Sequence, residues 1–262
     1  MTPVFHFDHA ITRAPAASVV DGLRAVDRGA PTLGGVRREF EAYVAALEDA
    51  GVRVETLPLL DDFPDSIFVE DPALVFTEGA IVLRPGAPSR LGESAAIASV
   101  LRDRFVRVLE LTEGFAEGGD MLTTPDAVLI GRSSRTNEAG AREVERLLKE
   151  LDRRATIVTT PPGVLHFKTD CSLLDEETIL ATSRLARSGI FAGYRVLLTP
   201  NGEEAAANAL RVNNRVFVGE SFPRTADLLG AAGYKVVLLP GAHIALLDAG
   251  FSCLSLRWKA DC

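Results

Sequence analysis

Two residues in this chain, Cys253 and His166, are equipped for nucleophilic chemistry, and two carboxylate-rich segments could hold a cation beside them. Cys253 sits in Asp248-Ala-Gly-Phe-Ser-Cys-Leu-Ser-Leu-Arg-Trp258, a glycine-led segment running into an apolar strand. A free cysteine is most often a small buried hydrophobe, but as a thiolate it is a strong nucleophile. His166 lies in Val164-Leu-His-Phe-Lys-Thr-Asp170, where it reads either as a satisfied core histidine or as an acid/base group. In Glu117-Gly-Gly-Asp120, paired glycines between acids fit a plain turn or a backbone held close to another group. In Asp65-Ser-Ile-Phe-Val-Glu-Asp-Pro72, three carboxylates flank the apolar run Ile67, Phe68 and Val69. Burying carboxylates is expensive unless a cation is present, so Asp65, Glu70 and Asp71 point to a cationic ligand. Cys171 reads as part of a core strand and Cys262 is the last residue. His6, His9 and His243 receive no role; the first two fall on a predicted N-terminal strand and the third in a Gly-Ala-His loop.

These groups are far apart in the chain, so something must gather them. Ala127-Val-Leu-Ile-Gly-Arg-Ser-Ser-Arg-Thr-Asn137 and Arg215-Val-Phe-Val-Gly-Glu-Ser-Phe-Pro-Arg-Thr225 resemble each other: a β-branched strand, then Gly, Ser and Arg-Thr, then a helix. The helices are predicted over 138–151, with Val144, Leu147, Leu148 and Leu151 on one face, and over 226–232. A third version runs from Ala80-Ile-Val-Leu-Arg84 into a helix over 93–102, and a degenerate fourth is Thr178-Ile-Leu-Ala-Thr-Ser183. Short polar segments precede these strands at 68–72, 116–120, 165–170 and 207–211, with another at 251–255. Further strands follow the helices at 53–57, 156–160 and 235–239. Anchors recurring every roughly 40–50 residues imply repeated supersecondary units, here strand, strand, helix, strand about an axis. Convergence on that axis would bring Glu70, Asp71, Glu117, His166 and Cys253 together.

The bulk numbers set outer bounds. The chain has 262 residues, 47% hydrophobic and 24% charged, and a net charge of −8 that disfavours nucleic acid or an anionic membrane as partner. No apolar run reaches membrane-spanning length and the first residues lack a signal-peptide layout, which predicts a cytoplasmic protein. Three cysteines argue against a disulfide framework, and the four histidines show no metal-binding spacing.

Taken together, these segments resemble the guanidino-group-modifying enzymes, the pentein superfamily of five-bladed pseudo-symmetric α/β propellers built of ββαβ units. Within it the chain is most similar to the dimethylarginine dimethylaminohydrolases. Besides the segments above, Arg13-Ala-Pro-Ala-Ala-Ser-Val-Val-Asp-Gly-Leu23, Arg84-Pro-Gly-Ala-Pro-Ser-Arg90, Arg135-Thr-Asn137 and Gly250-Phe-Ser-Cys-Leu-Ser-Leu-Arg257 carry the resemblance, which spans the whole chain as one catalytic domain, 1–262. It implies Cys253 as nucleophile, His166 as general acid/base and Glu117 as the group orienting it. It implies Glu70 and Asp71, with Phe68 beside them, around the guanidinium, Asp65 at the α-amino end, and Arg90 and Arg135 on the α-carboxylate. Leu23 falls on a lid between Gly22 and Gly35, and Leu247 where a backbone carbonyl meets the amine. No acid stands two residues after His166 and there is no room for an extra helical domain; both features separate the chain from arginine deiminases. Asp170 is not expected to substitute for that acid.

The implied reaction is hydrolysis of methylated arginine to citrulline and an amine, without cofactor or metal, in a protein that could be a homodimer. Guanidinium carbon is a poor electrophile, so its plane must be fixed by carboxylates for a thiolate to approach one face. Nearby carboxylates should keep Cys253 a thiol until a cationic substrate arrives. The readings set against this are a relative acting on arginine or citrulline, and a non-catalytic pentein that only binds.

Overall fold

The computed structural model describes residues 4–260, so Cys262 lies outside it. The chain begins in a strand, β1 (His9–Arg13), continues through helix α1 (Leu33–Asp49), and returns in β2 (Arg53–Leu57) parallel to β1. Three units of one design follow: β3 (Ala73–Phe76), β4 (Gly79–Val82), α2 (Leu91–Arg102) and β5 (Val108–Glu110); β6 (Met121–Thr123), β7 (Val128–Arg132), α3 (Glu138–Glu150) and β8 (Ala155–Thr159); β9 (Cys171–Leu173), β10 (Thr178–Ala181), α4 (Ser183–Ala186) and β11 (Arg195–Leu198). The last complete unit is β12 (Leu210–Val212), β13 (Arg215–Gly219), α5 (Pro223–Ala231) and β14 (Lys235–Leu239). A short helix, α6 (Ala242–Ala245), then leads to β15 (Leu256–Trp258), which pairs antiparallel with β1 and completes the first unit from the far end of the chain.

Among the described residues this gives five three-stranded sheets, each with an antiparallel first pair and a parallel second pair. The parallel pairs require a crossover, which is why a helix stands between the second and third strands of every unit. The sequence dictates the burial of each strand. The middle strands β4 and β10 are buried at every position, as near-continuous apolar runs covered on both faces must be. The third strands β2, β11 and β14 start exposed and run through half-buried centres, and β2 and β14 end on the buried leucines Leu57 and Leu239. Helix α3 buries Ala141, Val144, Leu147 and Leu148 along one stripe and pairs Arg146 with Glu143 and Glu150 outside. Asn137 starts that helix by accepting the Gly140 N–H at 2.8 Å.

The sequence-based boundaries differ where capping decides. Helix α5 begins at Pro223 rather than 226 because proline suits the first helical position, and α3 ends at Glu150 with Leu151 as its cap. His6 lies outside β1, and His243 sits in α6 rather than a loop. The short polar segments before the first strands are mostly one-turn 3-10 helices, at Gly118–Asp120, Phe167–Thr169, Glu204–Ala207 and Phe251–Leu254. No helix among the described residues is long and apolar enough to cross a membrane.

Candidate active site

The 3-10 turn Phe251–Leu254 carries Cys253, whose N–H donates to Gly250 O at 3.2 Å. His166 lies in extended backbone just before the turn Phe167–Thr169, and Glu117 likewise precedes Gly118–Asp120. The His166 Nε2 and Glu117 Oε2 atoms are 2.6 Å apart. Glu117 is fully buried and its other oxygen accepts from Gly86 N at 3.0 Å and Arg135 at 3.3 Å, which fixes the carboxylate from three sides.

The two glycines of Glu117-Gly-Gly-Asp120 are there for space. A Cβ on Gly118 would lie 2.0 Å from Glu70 O, and one on Gly119 would lie 2.9 Å from His166 Cγ and 3.1 Å from Asp71 Oδ1. Backbone therefore packs directly against the imidazole, with Gly119 N donating to Asp71 Oδ1 at 3.3 Å. Asp120 extends the scaffold by accepting from Phe167 N at 2.8 Å and from the Ser133 and Thr136 hydroxyls.

A cavity of about 40 Å³ is lined by nine of the eleven residues expected at the site: Leu23, Asp65, Phe68, Asp71, Arg90, Arg135, His166, Leu247 and Cys253. Glu117 stands behind His166. Glu70 departs from expectation: its Oε1 is taken by Lys168 and Arg257, and it borders a second cavity, of about 680 Å³, instead of the one that holds Cys253 and His166. Both cations meet the same oxygen, and the other, Oε2, is buried without a hydrogen-bond partner.

Arg90 is only 4% exposed and is committed to the protein. It donates to Glu93 through Nε, to Asp71 through Nη1, and to Glu93 and the carbonyls of Asp65 and Phe68 through Nη2. One Nη1 hydrogen is left for a ligand. Its stronger effect is on Asp71: burial would raise that carboxyl, but Arg90 and His166 hold it below its ordinary value. Glu93, behind Arg90, is raised by burial to about 7 despite the guanidinium.

The electrostatics set the resting protonation state. Burial disfavours an imidazolium, yet the bond to Glu117 and the charges of Asp71 and Asp120 raise His166 to about 9. Burial together with Asp71 and Glu70 pushes the Cys253 thiol up to about 12. The site therefore rests near neutral pH as thiol and imidazolium.

Several pocket residues were not foreseen: Arg24, Ala25, Leu165, Asp248 and Ala249. Asp248 is the informative one. It holds a positive φ of 56°, accepts the Ala25 N–H at 2.5 Å and pairs with Arg28, so it latches the 22–32 loop over the cavity. Leu23 N donates to Asp65 Oδ1 at 3.0 Å, fastening the same loop from the other side. Asp248→Ala should loosen this cover and raise KM several-fold, about 1 kcal/mol for a charged hydrogen bond at a partly exposed site, with a smaller change in kcat. Steady-state kinetics check this; an unchanged KM would remove the latch.

Asp71, Glu117 and His166 offer three ligand atoms within 4.8 Å of one another. Their oxygens already serve Arg90, Gly119, Gly86 and Arg135, so an ion here would compete with two guanidinium groups for them. Asp170 is held by Thr182 and Arg184 and does not line the cavity.

Residues 32–159 match the family described as N,N dimethylarginine dimethylhydrolase, eukaryotic. The chain is 35% identical over 254 residues to the N(G),N(G)-dimethylarginine dimethylaminohydrolase of Pseudomonas aeruginosa, covering 96% of this chain and 100% of that protein. It belongs to the dimethylarginine dimethylaminohydrolase family. The Streptomyces coelicolor enzyme of that name is 31% identical, with 95% of this chain and 96% of that one covered. A solved structure of the Pseudomonas aeruginosa enzyme, a cysteine-to-serine mutant complexed with citrulline, superposes with a TM-score of 0.93, covering 97% of this chain and 100% of that one. The five sheets described above are the pentein propeller expected of a dimethylarginine dimethylaminohydrolase.

Proposed function

We propose that this chain hydrolyses Nω-methylated arginines, asymmetric dimethylarginine and monomethylarginine, to citrulline and dimethylamine or methylamine through a covalent adduct on Cys253. The observation that carries this reading is one small cavity lined at once by a thiol, an imidazolium backed by a buried carboxylate, and Asp71 held ionised. Asp71 accepts the guanidinium N–H groups and fixes the plane of the cation. Asp65 faces the α-amino group, the Arg135 guanidinium takes the α-carboxylate with the spare Arg90 hydrogen, Phe68 packs on the apolar stem, and Leu23 and Leu247 contact the amino-acid end from the lid side. Glu70 acts from behind the cavity, through Cys253.

The thiolate of Cys253 forms a C–S bond to the central guanidinium carbon, giving a neutral tetrahedral adduct. His166 gives its proton to the dimethylamino nitrogen, the C–N bond breaks, and dimethylamine leaves behind an S-alkylthiouronium cation and a neutral imidazole. His166 then takes a proton from water as its oxygen attacks the same carbon. Cleavage of the C–S bond then releases citrulline as the hydroxyl proton of the adduct passes to the departing sulfur, which restores the Cys253 thiol beside the His166 imidazolium. Glu117 supports the imidazolium without touching the reacting atoms.

Identifying the amine released from dimethylarginine, monomethylarginine and arginine tests the reading. Dimethylamine and methylamine at comparable rates are expected; ammonia from arginine as the dominant product would replace it with a deiminase. Selective labelling of Cys253 by 2-chloroacetamidine is expected as well, and a protein that only binds would resist it. Arg135→Ala should raise KM by about tenfold, and because Arg135 also touches Glu117 at 3.3 Å, kcat should fall too. A change in neither constant would take Arg135 out of the site. We propose in addition a cytoplasmic protein of one catalytic domain, with a small cationic amino acid rather than nucleic acid or membrane as its partner.

A further inference from the structure

The fifth blade contributes nothing to the catalytic cavity: no residue between His166 and Leu247 lines it. Yet that blade stands between the one that carries His166 and the one that carries Cys253, so the distance between the two groups is set across it. Each pair of neighbouring blades is joined by a hydrogen bond between the turns that precede their first strands. Glu70 N donates to Cys253 O at 3.2 Å and Gly118 N to Asp71 O at 3.1 Å. Phe167 N donates to Asp120 Oδ1 at 2.8 Å. The two remaining joints are both made by one side chain, that of Asn208. Its Nδ2 donates to Lys168 O at 2.8 Å, and its Oδ1 accepts from Ser252 N at 3.5 Å.

The fit is tight on the cysteine side. A Cβ on Gly250 would lie 2.3 Å from Asn208 Oδ1, so the carboxamide rests directly against the backbone whose carbonyl accepts the Cys253 N–H. On the histidine side the contact falls two residues after His166, in the turn that His166 enters. The carboxamide serves both joints at once, because Lys168 O needs a donor and Ser252 N needs an acceptor. The segment Ala207-Asn-Ala-Leu-Arg211, an anchor of the sequence repeat with no assigned chemistry, thereby acquires a purpose.

We propose that Asn208 is a positioning residue for the reaction, the bridge that sets the Cys253 turn against the His166 turn across the intervening blade. This rests on the proposed hydrolysis, in which sulfur and imidazole act on one carbon. Substrate is held by Asp65, Asp71 and Arg135, all on other blades, so loss of the bridge should act on the chemical steps rather than on binding.

Asn208→Leu keeps the volume and removes both bonds; Asn208→Ala is the smaller companion. Gly250→Ala strains the same joint with Asn208 intact, which keeps the test open if both Asn208 variants unfold. Dimethylamine release by the parent enzyme is measured first, and its absence would defeat the functional reading before the bridge is examined. Each variant is then checked by thermal melting, and kcat is expressed per Cys253 labelled by 2-chloroacetamidine, so that a fall in folded enzyme is not counted as a fall in rate. The expected result is a drop in kcat per labelled site of about tenfold to a hundredfold, with KM within about threefold of the parent. A folded variant whose kcat per labelled site stays within about twofold of the parent, or whose loss lies wholly in KM, overturns the proposal.

Discussion

Cys253→Ser should release no measurable dimethylamine, a loss on the order of 10⁴-fold or more, while dimethylarginine still binds. The size of the loss follows from the surroundings of the sulfur. Burial and the Asp71 and Glu70 carboxylates already push the thiol up to about 12, and a hydroxyl in the same place starts from a far weaker acid. A bound guanidinium brings one positive charge to the site, enough to draw out a thiolate but not an alkoxide. Binding survives because Asp65, Asp71 and Arg135 are untouched and serine is the smaller side chain. Calorimetric titration of the variant with dimethylarginine should give a Kd near the parent's KM. Amine release at even a hundredth of the parental rate would mean that sulfur is not the nucleophile.

Much of this site could be read from the sequence because its residues break local rules. Carboxylates beside Ile67, Phe68 and Val69 stand where burial is costly, and Asp71 proves to be 4% exposed and paired with Arg90. The two glycines after Glu117 imply close approach, and the groups approached are the Glu70 carbonyl and the His166 ring. The blades were legible for a different reason: middle strands covered on both faces must be continuously apolar, and helices between parallel strands must be amphipathic. What stayed hidden depends on pairing across the chain. Lys168 and Arg257 both claim Glu70 from other blades, and nothing around residue 70 announces them. Asp248 latches Ala25 and Arg28 from more than 200 positions away. The Gly-Ala-His pattern predicts a loop at His243, whereas Glu39 caps that segment into a helical turn by accepting the N–H groups of His243 and Ile244, both at 2.8 Å. That turn delivers Leu247 and Asp248 to the cavity. A helix start stabilised by a carboxylate from α1 leaves no trace in the residues of the start itself.

His166→Gln should lower kcat by about 10²- to 10⁴-fold, and the parental pH profile should identify the same group. His166 must carry a proton to deliver it to the departing amine, and the proton is held up to about 9 by Glu117, Asp71 and Asp120 against the cost of burial. The competent form is therefore fully populated below that value and lost as pH rises through it, which places the falling limb near 9. Cys253 works in the opposite sense. Its thiol, pushed up to about 12, is protonated in the free enzyme near neutral pH, so the sulfur must shed its proton when the cation binds. His166 already holds a proton and cannot take it, so the proton goes to solvent, and kcat/KM should climb with pH until the imidazolium begins to titrate. A non-reactive guanidine should accordingly lower the apparent thiol pKa and release about one proton on binding between about pH 7 and 8. Glu117→Gln supplies the cross-check. Removing that charge should shift the falling limb toward the ordinary imidazole range and leave the thiol's limb nearly in place. A falling limb that does not move in Glu117→Gln would assign the proton to some other group, and the two-role reading of His166 would go with it.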